Sequence, residues 1–239
     1  MKRFYQKVSV TKGDKGHEIR LDGKPVKTPA KAALALPGAA LAKAVAGEWR
    51  AQKKTIRVET MPLTRLANTA IDRTVLHKGI VIDEIMNFAR HDLLCYRAEG
   101  PEELIRIESE AWDPYLAWAN ESLGLTFRVT TGVETIKQDR QTLAKLEALL
   151  SLLDPYRLTA LHTATTLGGS AILALALWQE FKPAKDIWKA AQADEDYQTG
   201  KWGADREHQK TLGARRDLWL ATGRFLAALK SAPPSGKSK

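Results

Sequence analysis

Two short stretches carry the residue types that do chemistry. The first is His91-Asp92, a donor–acceptor pair of the kind used in metal-assisted phosphate-ester hydrolysis. That chemistry needs further His and Asp ligands, so that two metal ions can hold the phosphate and the attacking water. His77 upstream and Asp139 or Asp154 downstream are available in the sequence. The second stretch is Asp194-Glu195-Asp196-Tyr197-Gln198, followed by Trp202-Gly203, Asp205 and Glu207. Spaced acids beside a tryptophan suit a divalent cation, but the loop lacks EF-hand spacing. The plain alternative is a solvated acidic helix start over a packed Trp202.

Other catalytic signatures are missing from the sequence. It has no G-x-x-x-x-G-K-[ST] phosphate cradle, so nothing in it argues for an ATP-driven cycle. It has no G-x-G-x-x-G after a strand, and Gly168-Gly169-Ser170 lacks the flanking glycine spacing of a nucleophile elbow. The five histidines (His17, His77, His91, His162 and His208) show no H-E-x-x-H or H-x-H spacing. Cys95 is the single cysteine, so no intrachain disulfide can form, and Leu93, Leu94 and Tyr96 around it predict a buried, packing thiol. No cofactor, metal or catalytic residue is expected.

The elements that must position these residues fall into two kinds. Residues 4–10 alternate as a strand does. The run His17-Glu18-Ile19-Arg20-Leu21, then Asp22-Gly23, then Lys24-Pro25-Val26-Lys27 is a hairpin pattern with a turn pair suited to positive φ. Pro25 confines its strand to an edge. Pro37-Gly38 opens a helix with Leu41, Val45 and Trp49 on one stripe, and residues 55–58 read as a short strand. A helix starting at residues 61–64 buries Leu63, Leu66, Ala67, Ala70 and Ile71 until Gly79 interrupts it.

Beyond Gly79 the periodicity is helical. Ile82, Ile85, Met86, Ala89 and Leu93 form one stripe. Another carries Leu104, Ile107, Trp112, Leu116 and Trp118, with Pro114 as a kink or restart point. Residues 127–131 read as one isolated strand, and Leu143, Leu146, Leu150 and Leu153 begin the next helix. Residues 158–178 are uncharged and long enough to span a bilayer, but four Thr, His162, Ser170 and two adjacent glycines predict a buried core helix of a soluble protein. Helices around Trp188 and from Trp219 to Leu229 complete the pattern. The predicted class is α+β, with a small basic β-rich α+β domain over 1–80, a larger all-helical domain over 81–230, and a disordered tail over 231–239.

Charge follows the same division. Residues 1–57 hold 14 Lys and Arg against 4 Asp and Glu, whereas the rest of the chain is close to neutral within a total of +9. The segregation implies two regions with different roles, or a solvated basic face. Seven tryptophans require burial or a partner.

Several separated blocks, in order, resemble the ATP synthase F1 complex assembly factor 2 family, chaperones of mitochondria and related bacteria. They are Arg3-Phe4-Tyr5 with Val8; Leu21-Asp22-Gly23-Lys24-Pro25-Val26-Lys27-Thr28-Pro29; and Glu48-Trp49 with Ala51-Gln52. Then come Thr60-Met61-Pro62-Leu63-Thr64 with Asn68-Thr69 and Ile71-Asp72, and Asp92-Leu93-Leu94-Cys95-Tyr96-Arg97. Trp112-Asp113-Pro114 and the 194–207 stretch close the series. Where relatives often read Thr-Asp, this chain reads His91-Asp92, so His91 looks like a local substitution, and that weakens the hydrolytic reading.

The resemblance implies a non-enzymatic chaperone of the bacterial cytoplasm, with mitochondrial-matrix relatives. It would bind the free α subunit of the F1-ATPase, cover its β-facing surface and release it without consuming nucleotide. Client contact is expected at Glu195, Asp205, Glu207, Trp202 and Asp194, then at Arg65 and Asn68. No nucleic acid and no membrane insertion are expected, and the protein is expected to be a monomer. Two rivals come from other classes: a nucleic-acid binder using the basic front half, whose affinity would fall steeply with salt, and a metal-dependent phosphohydrolase at His91 and Asp92.

Overall fold

The computed structural model describes residues 1–132, 134–203 and 206–230. The expected tail at 231–239 lies outside the described residues. The chain divides into two compact units that are not continuous in sequence. The first comprises Met1–Lys78, Asp154–Ala160 and Ala221–Lys239; the second comprises Gly79–Leu153 and Leu161–Leu220.

In the first unit, β1 (Val8–Gly13) and β2 (Gly16–Leu21) form an antiparallel hairpin with Val8 opposite Leu21. The other edge of β2 is shared: β3 (Lys24–Pro25) pairs with Arg20 and Leu21, and β4 (Ala35–Leu36) pairs with His17 and Glu18. The β2–β3 turn is the predicted one, with Asp22 at φ 48° and Gly23 at φ 82°, and Pro25 lies on an outer strand. The Asp22 carboxylate also accepts the backbone N–H groups of Gln6 (3.1 Å) and Lys7 (2.7 Å). The first strand therefore starts at Val8, four residues later than its alternation predicts. The backbone of residues 5–7 is engaged by side chains, because the Arg3 guanidinium donates to the carbonyls of Tyr5, Gln6 and Gln52. Gly16 sits at φ 127°, where a Cβ would lie 2.5 Å from the Leu36 carbonyl oxygen, so only glycine fits.

The helix α1 (Ala39–Ala51) packs Leu41, Ala42, Val45 and Ala46 beneath this sheet. The strand expected over 55–58 is reduced to a single bridge between Thr55 and Lys2, followed by a 3-10 turn, Val58–Thr60. The Gln52 side chain accepts the Arg57 N–H at 2.8 Å, which takes that donor away from any ladder. Pro62 then starts α2 (Pro62–Thr69), which runs on through a π turn, Ala70–Thr74. Two later segments complete the unit: Tyr156 donates to the Ala35 carbonyl (2.6 Å), and Arg157 donates to the Leu229 carbonyl (2.9 Å).

The second unit is helical. It holds α3 (Lys78–Arg90) from Gly79 onward, α4 (Glu102–Leu123), α5 (Arg140–Ser151), α7 (Ala171–Gln179), α8 (Ala184–Ala191) and α9 (Ala193–Trp202). The helices α6 (Pro155–Gly168) and α10 (Arg206–Lys230) contribute residues to both units. Pro114 lies inside α4 without ending it. A two-residue parallel pair, β5 (Tyr96–Arg97) with β6 (Thr130–Thr131), is what remains of the strand expected at 127–131. The predicted single helix over 158–178 is two helices, because Gly169 at φ 67° breaks the chain and Ser170 caps α7 through the Leu173 N–H. No helix among the described residues is long and apolar enough to cross a membrane.

The tryptophans mostly go into packing. Trp112 and Trp219 are fully buried and donate to the carbonyls of Ala190 (2.7 Å) and Ala184 (2.9 Å). Their buried N–H groups are thereby satisfied, as an apolar interior demands.

Candidate functional site

His91 and Asp92 do not form a joint site. His91 follows α3, is exposed, and pairs its Nδ1 with the Tyr96 hydroxyl at 3.1 Å. Asp92 is fully buried in an extended residue before the 3-10 turn Leu93–Cys95, not on a helix as the sequence predicts. It accepts the N–H groups of Ala171 (2.8 Å), Ile172 (3.2 Å) and Leu94 (3.2 Å), besides the Ser170 hydroxyl. It thus caps α7 from a distant part of the chain, where the helix dipole favours an anion. Burial pushes its carboxyl up to about 6, and the donated hydrogen bonds hold it from rising further.

Asp139 and Asp154, the other carboxylates available to hydrolytic chemistry, also accept backbone N–H groups, at the starts of α5 and α6. Among the described residues no three His, Cys, Asp or Glu side chains group to hold a metal ion. Cys95 is buried, and burial first, then the nearby Asp92 charge, pushes its thiol up to about 12. That is the inert thiol its neighbours predict.

The other stretch presents itself to solvent. Helix α9 packs on α4 and α8, with Asp194, Glu195 and Asp196 in its first turn, where acids suit the helix dipole. Glu195 is about one-third exposed and its Oε1 lies 3.1 Å from His208 Nε2 of α10. The Gln198 amide reaches Asp194 at 3.4 Å. Asp196 is exposed yet its carboxyl is raised, first by partial desolvation and then by the Glu195 charge. Lys201 lies 3.5 Å from Glu103 and over the Tyr197 ring. Glu207 is exposed at the start of α10. Asp205 and the Trp202 side chain lie outside the described residues. The remaining expected contacts, Arg65 and Asn68, belong to α2 in the first unit. Arg65 is exposed, and Asn68 is half-buried with an Oδ1 that has no hydrogen-bond partner among the described residues.

A dense polar cap holds α2 in place. The Glu48 carboxylate accepts the Leu63 N–H (2.7 Å), the Thr64 N–H (2.8 Å) and the Thr64 hydroxyl (2.7 Å), and burial raises its carboxyl. Glu48 and Trp49 therefore appear side by side in the sequence for different reasons: one caps the next helix, the other packs at 5.8 Å against Tyr5.

With this geometry in hand, known proteins resolve what kind of molecule it is. The model of the ATP12 chaperone protein family matches residues 2–120. The crystal structure of Atp12 from Paracoccus denitrificans is similar with a TM-score of 0.90 at 38% identity, covering 95% of this chain and 97% of that one. The chain belongs to the ATP12 chaperone family. A candidate chaperone from Agrobacterium tumefaciens, also solved by crystallography, is 41% identical with a TM-score of 0.90, over 95% of this chain and 86% of its own. The α+β class is the one that the residue patterning predicted and the family is the one that the sequence blocks resemble; membership gives the protein a chaperone role in ATP synthase assembly.

One set of residues went unremarked in the sequence. Lys185, Trp188, Lys189 and Gln192 recur at i, i+3, i+4 and i+7 along α8 and just beyond it, and all four line one groove. That spacing was available as a signal, but only the opposing helix shows that the face borders a cavity.

Proposed function

We propose that the protein binds the free α subunit of the F1-ATPase and shields its β-facing surface until the β subunit displaces it, with no nucleotide consumed. The supporting observation is the likeness to Paracoccus denitrificans Atp12 along nearly the whole of both chains. A free subunit that exposes the apolar face meant for its neighbour is prone to aggregate, and a cover for that face prevents it. Binding must resist aggregation yet yield to the α–β contact, so exchange is governed by competing affinities.

Contact is assigned to Glu195, with Asp194, Trp202, Asp205 and Glu207 around it, and a separate set to Arg65 and Asn68. The acids on α9 favour this use because they reach solvent and are only lightly engaged among the described residues, so partner contact costs little internal structure. Interfaces of this kind concentrate their energy in a few anchors. The reading places this work in the bacterial cytoplasm, by a monomer.

The test is Glu195→Lys with α-subunit co-purification and thermal melting measured on the same preparation. Capture falls at least about tenfold while the melt is unchanged, since charge reversal at an interface is costly and a surface change is not. Unchanged capture removes Glu195 from the contact. If purified α subunit stays equally soluble without this protein, the whole reading is wrong.

A further inference from the structure

The second unit contains a groove of about 440 Å³ between α8 and α10, a size suited to a bound segment rather than a single water. From α8 and the residue after it come Lys185, Trp188, Lys189 and Gln192. From α10 come Leu212, Gly213 and Arg216, among others, and Asp196 of α9 also lines it. The Trp188 ring is held in place rather than free, because Trp219 lies 5.7 Å from it and the Arg215 guanidinium lies 6.0 Å over its face. Arg215 is itself anchored to the Leu167 carbonyl at 2.8 Å.

One residue lining this groove has an unfinished hydrogen-bonding group. Gln192 is only 4% exposed, and its amide nitrogen donates to the Ala191 carbonyl at 3.0 Å. Its Oε1 has no hydrogen-bond partner among the described residues. A buried acceptor left unpaired costs free energy that a bound N–H group would recover. Around it Lys185, Lys189 and Arg216 make no side-chain ion pair among the described residues, so the groove holds three cations without internal counter-charge except Asp196.

An N–H donor beside a carboxylate, over an apolar floor of Trp188 and Leu212, is what an extended peptide bearing Asp or Glu offers. A compact polyanion such as phosphate satisfies the cations but leaves the apolar surface of Trp188 and Leu212 uncovered. We propose that the groove between α8 and α10 binds an extended acidic peptide segment of the client, its backbone N–H on Gln192 and its carboxylate on Lys185, Lys189 and Arg216. This rests on the preceding reading only in taking the client as the source of the segment.

The α10 side supplies a clean test. A Cβ added at Gly213 meets nothing within 4 Å, so a larger side chain enters the groove without displacing the core. Leucine is also the better helix former, so Gly213→Leu leaves the melting midpoint unchanged or raises it. The probe is a fluorescein-labelled, end-capped Gly-Glu-Leu-Glu-Gly peptide followed by polarisation with the full chain, against the same peptide with Lys in place of Glu.

The Glu peptide binds about tenfold tighter than the Lys peptide or better, and less tightly as salt rises. Arg216→Glu weakens it about tenfold, Gln192→Met about fivefold through the lost acceptor, and Gly213→Leu abolishes it. Equal binding of the two peptides, binding unaffected by Gly213→Leu, or displacement by inorganic phosphate at low millimolar concentration overturns the proposal. Capture of the α subunit by the same variants separates the two readings. If capture survives Gly213→Leu, the groove is not a client site while the chaperone reading stands; if the peptide binds but wild-type protein captures no α subunit, the groove binds acidic peptide and the client is something else.

Discussion

Two acidic stretches of this molecule look alike as sequence and behave oppositely as structure. Asp92 is sealed in the second unit with its oxygens committed to three backbone N–H groups and a hydroxyl. Asp194, Glu195 and Asp196 stand on the first turn of α9 with side chains reaching solvent and, among the described residues, one loose partner each at most. The first carboxylate has spent its hydrogen-bonding capacity on the fold, whereas those on α9 have much of theirs turned to solvent. Burial together with partner count, not charge or neighbouring His and Trp, tells a structural acid from one left open to solvent.

The sharpest way to break this comparison is Asp92→Ala. It orphans three buried N–H groups and a helix cap at once, and relief of the buried charge offsets part of the loss. The expected cost is about 3–4 kcal/mol in chemical denaturation at neutral pH, with cooperative unfolding at lower denaturant. A cost under about 1 kcal/mol would place Asp92 among the dispensable acids.

The same carboxylate gives a pH signature. Its folded value, about 6, exceeds the ordinary 3.8, so between those pH values the native state holds more proton than the unfolded chain. Stability from this group is therefore fully present below about pH 4 and is lost as pH rises through about 6, by on the order of 3 kcal/mol. Asp92→Asn removes the group from titration. Subtracting its denaturation profile from that of the wild type isolates the decline, and a flat difference curve would refute the assignment. Glu48 is the corresponding device in the first unit, less enclosed. Glu48→Ala removes both cap bonds to α2 and the Thr64 partner, at a cost of about 2 kcal/mol in the same assay.

How much of this could be read from residues alone depended on whether local rules or distant partners decided the outcome. The Asp22-Gly23 turn, the edge position of Pro25, the stripes of α1, α2 and α3 and the buried Cys95 follow from φ preferences and periodicity within a few residues. The strand start at Val8 and the lost strand at 55–58 do not, because Asp22, Arg3 and Gln52 take those backbone groups from outside the window. The helix at 158–178 divides where Gly169 adopts positive φ and Trp219 leaves no room for a Cβ at Gly168, a contact 51 residues away in sequence. For the site the limit was similar. His91-Asp92 suggested chemistry until the turn placed the two side chains in different environments, and the groove face of α8 gained meaning only from α10.

The smallest expected effect is the most useful control. Glu195 and His208 pair at 3.1 Å with side chains 34% and 41% exposed, so water and salt screen whatever attraction they have. Glu195→Gln keeps the shape of the side chain and an acceptor for His208 while deleting the charge. Its stability should stay within about 0.5 kcal/mol of wild type, in low salt and in high salt alike. That outcome makes any loss of α-subunit capture in Glu195 variants a statement about the interface. A loss of about 1.5 kcal/mol or more would mean that α9 leans on this pair to stay docked, and then the acids of α9 would belong with Asp92, as parts of the scaffold rather than its working surface.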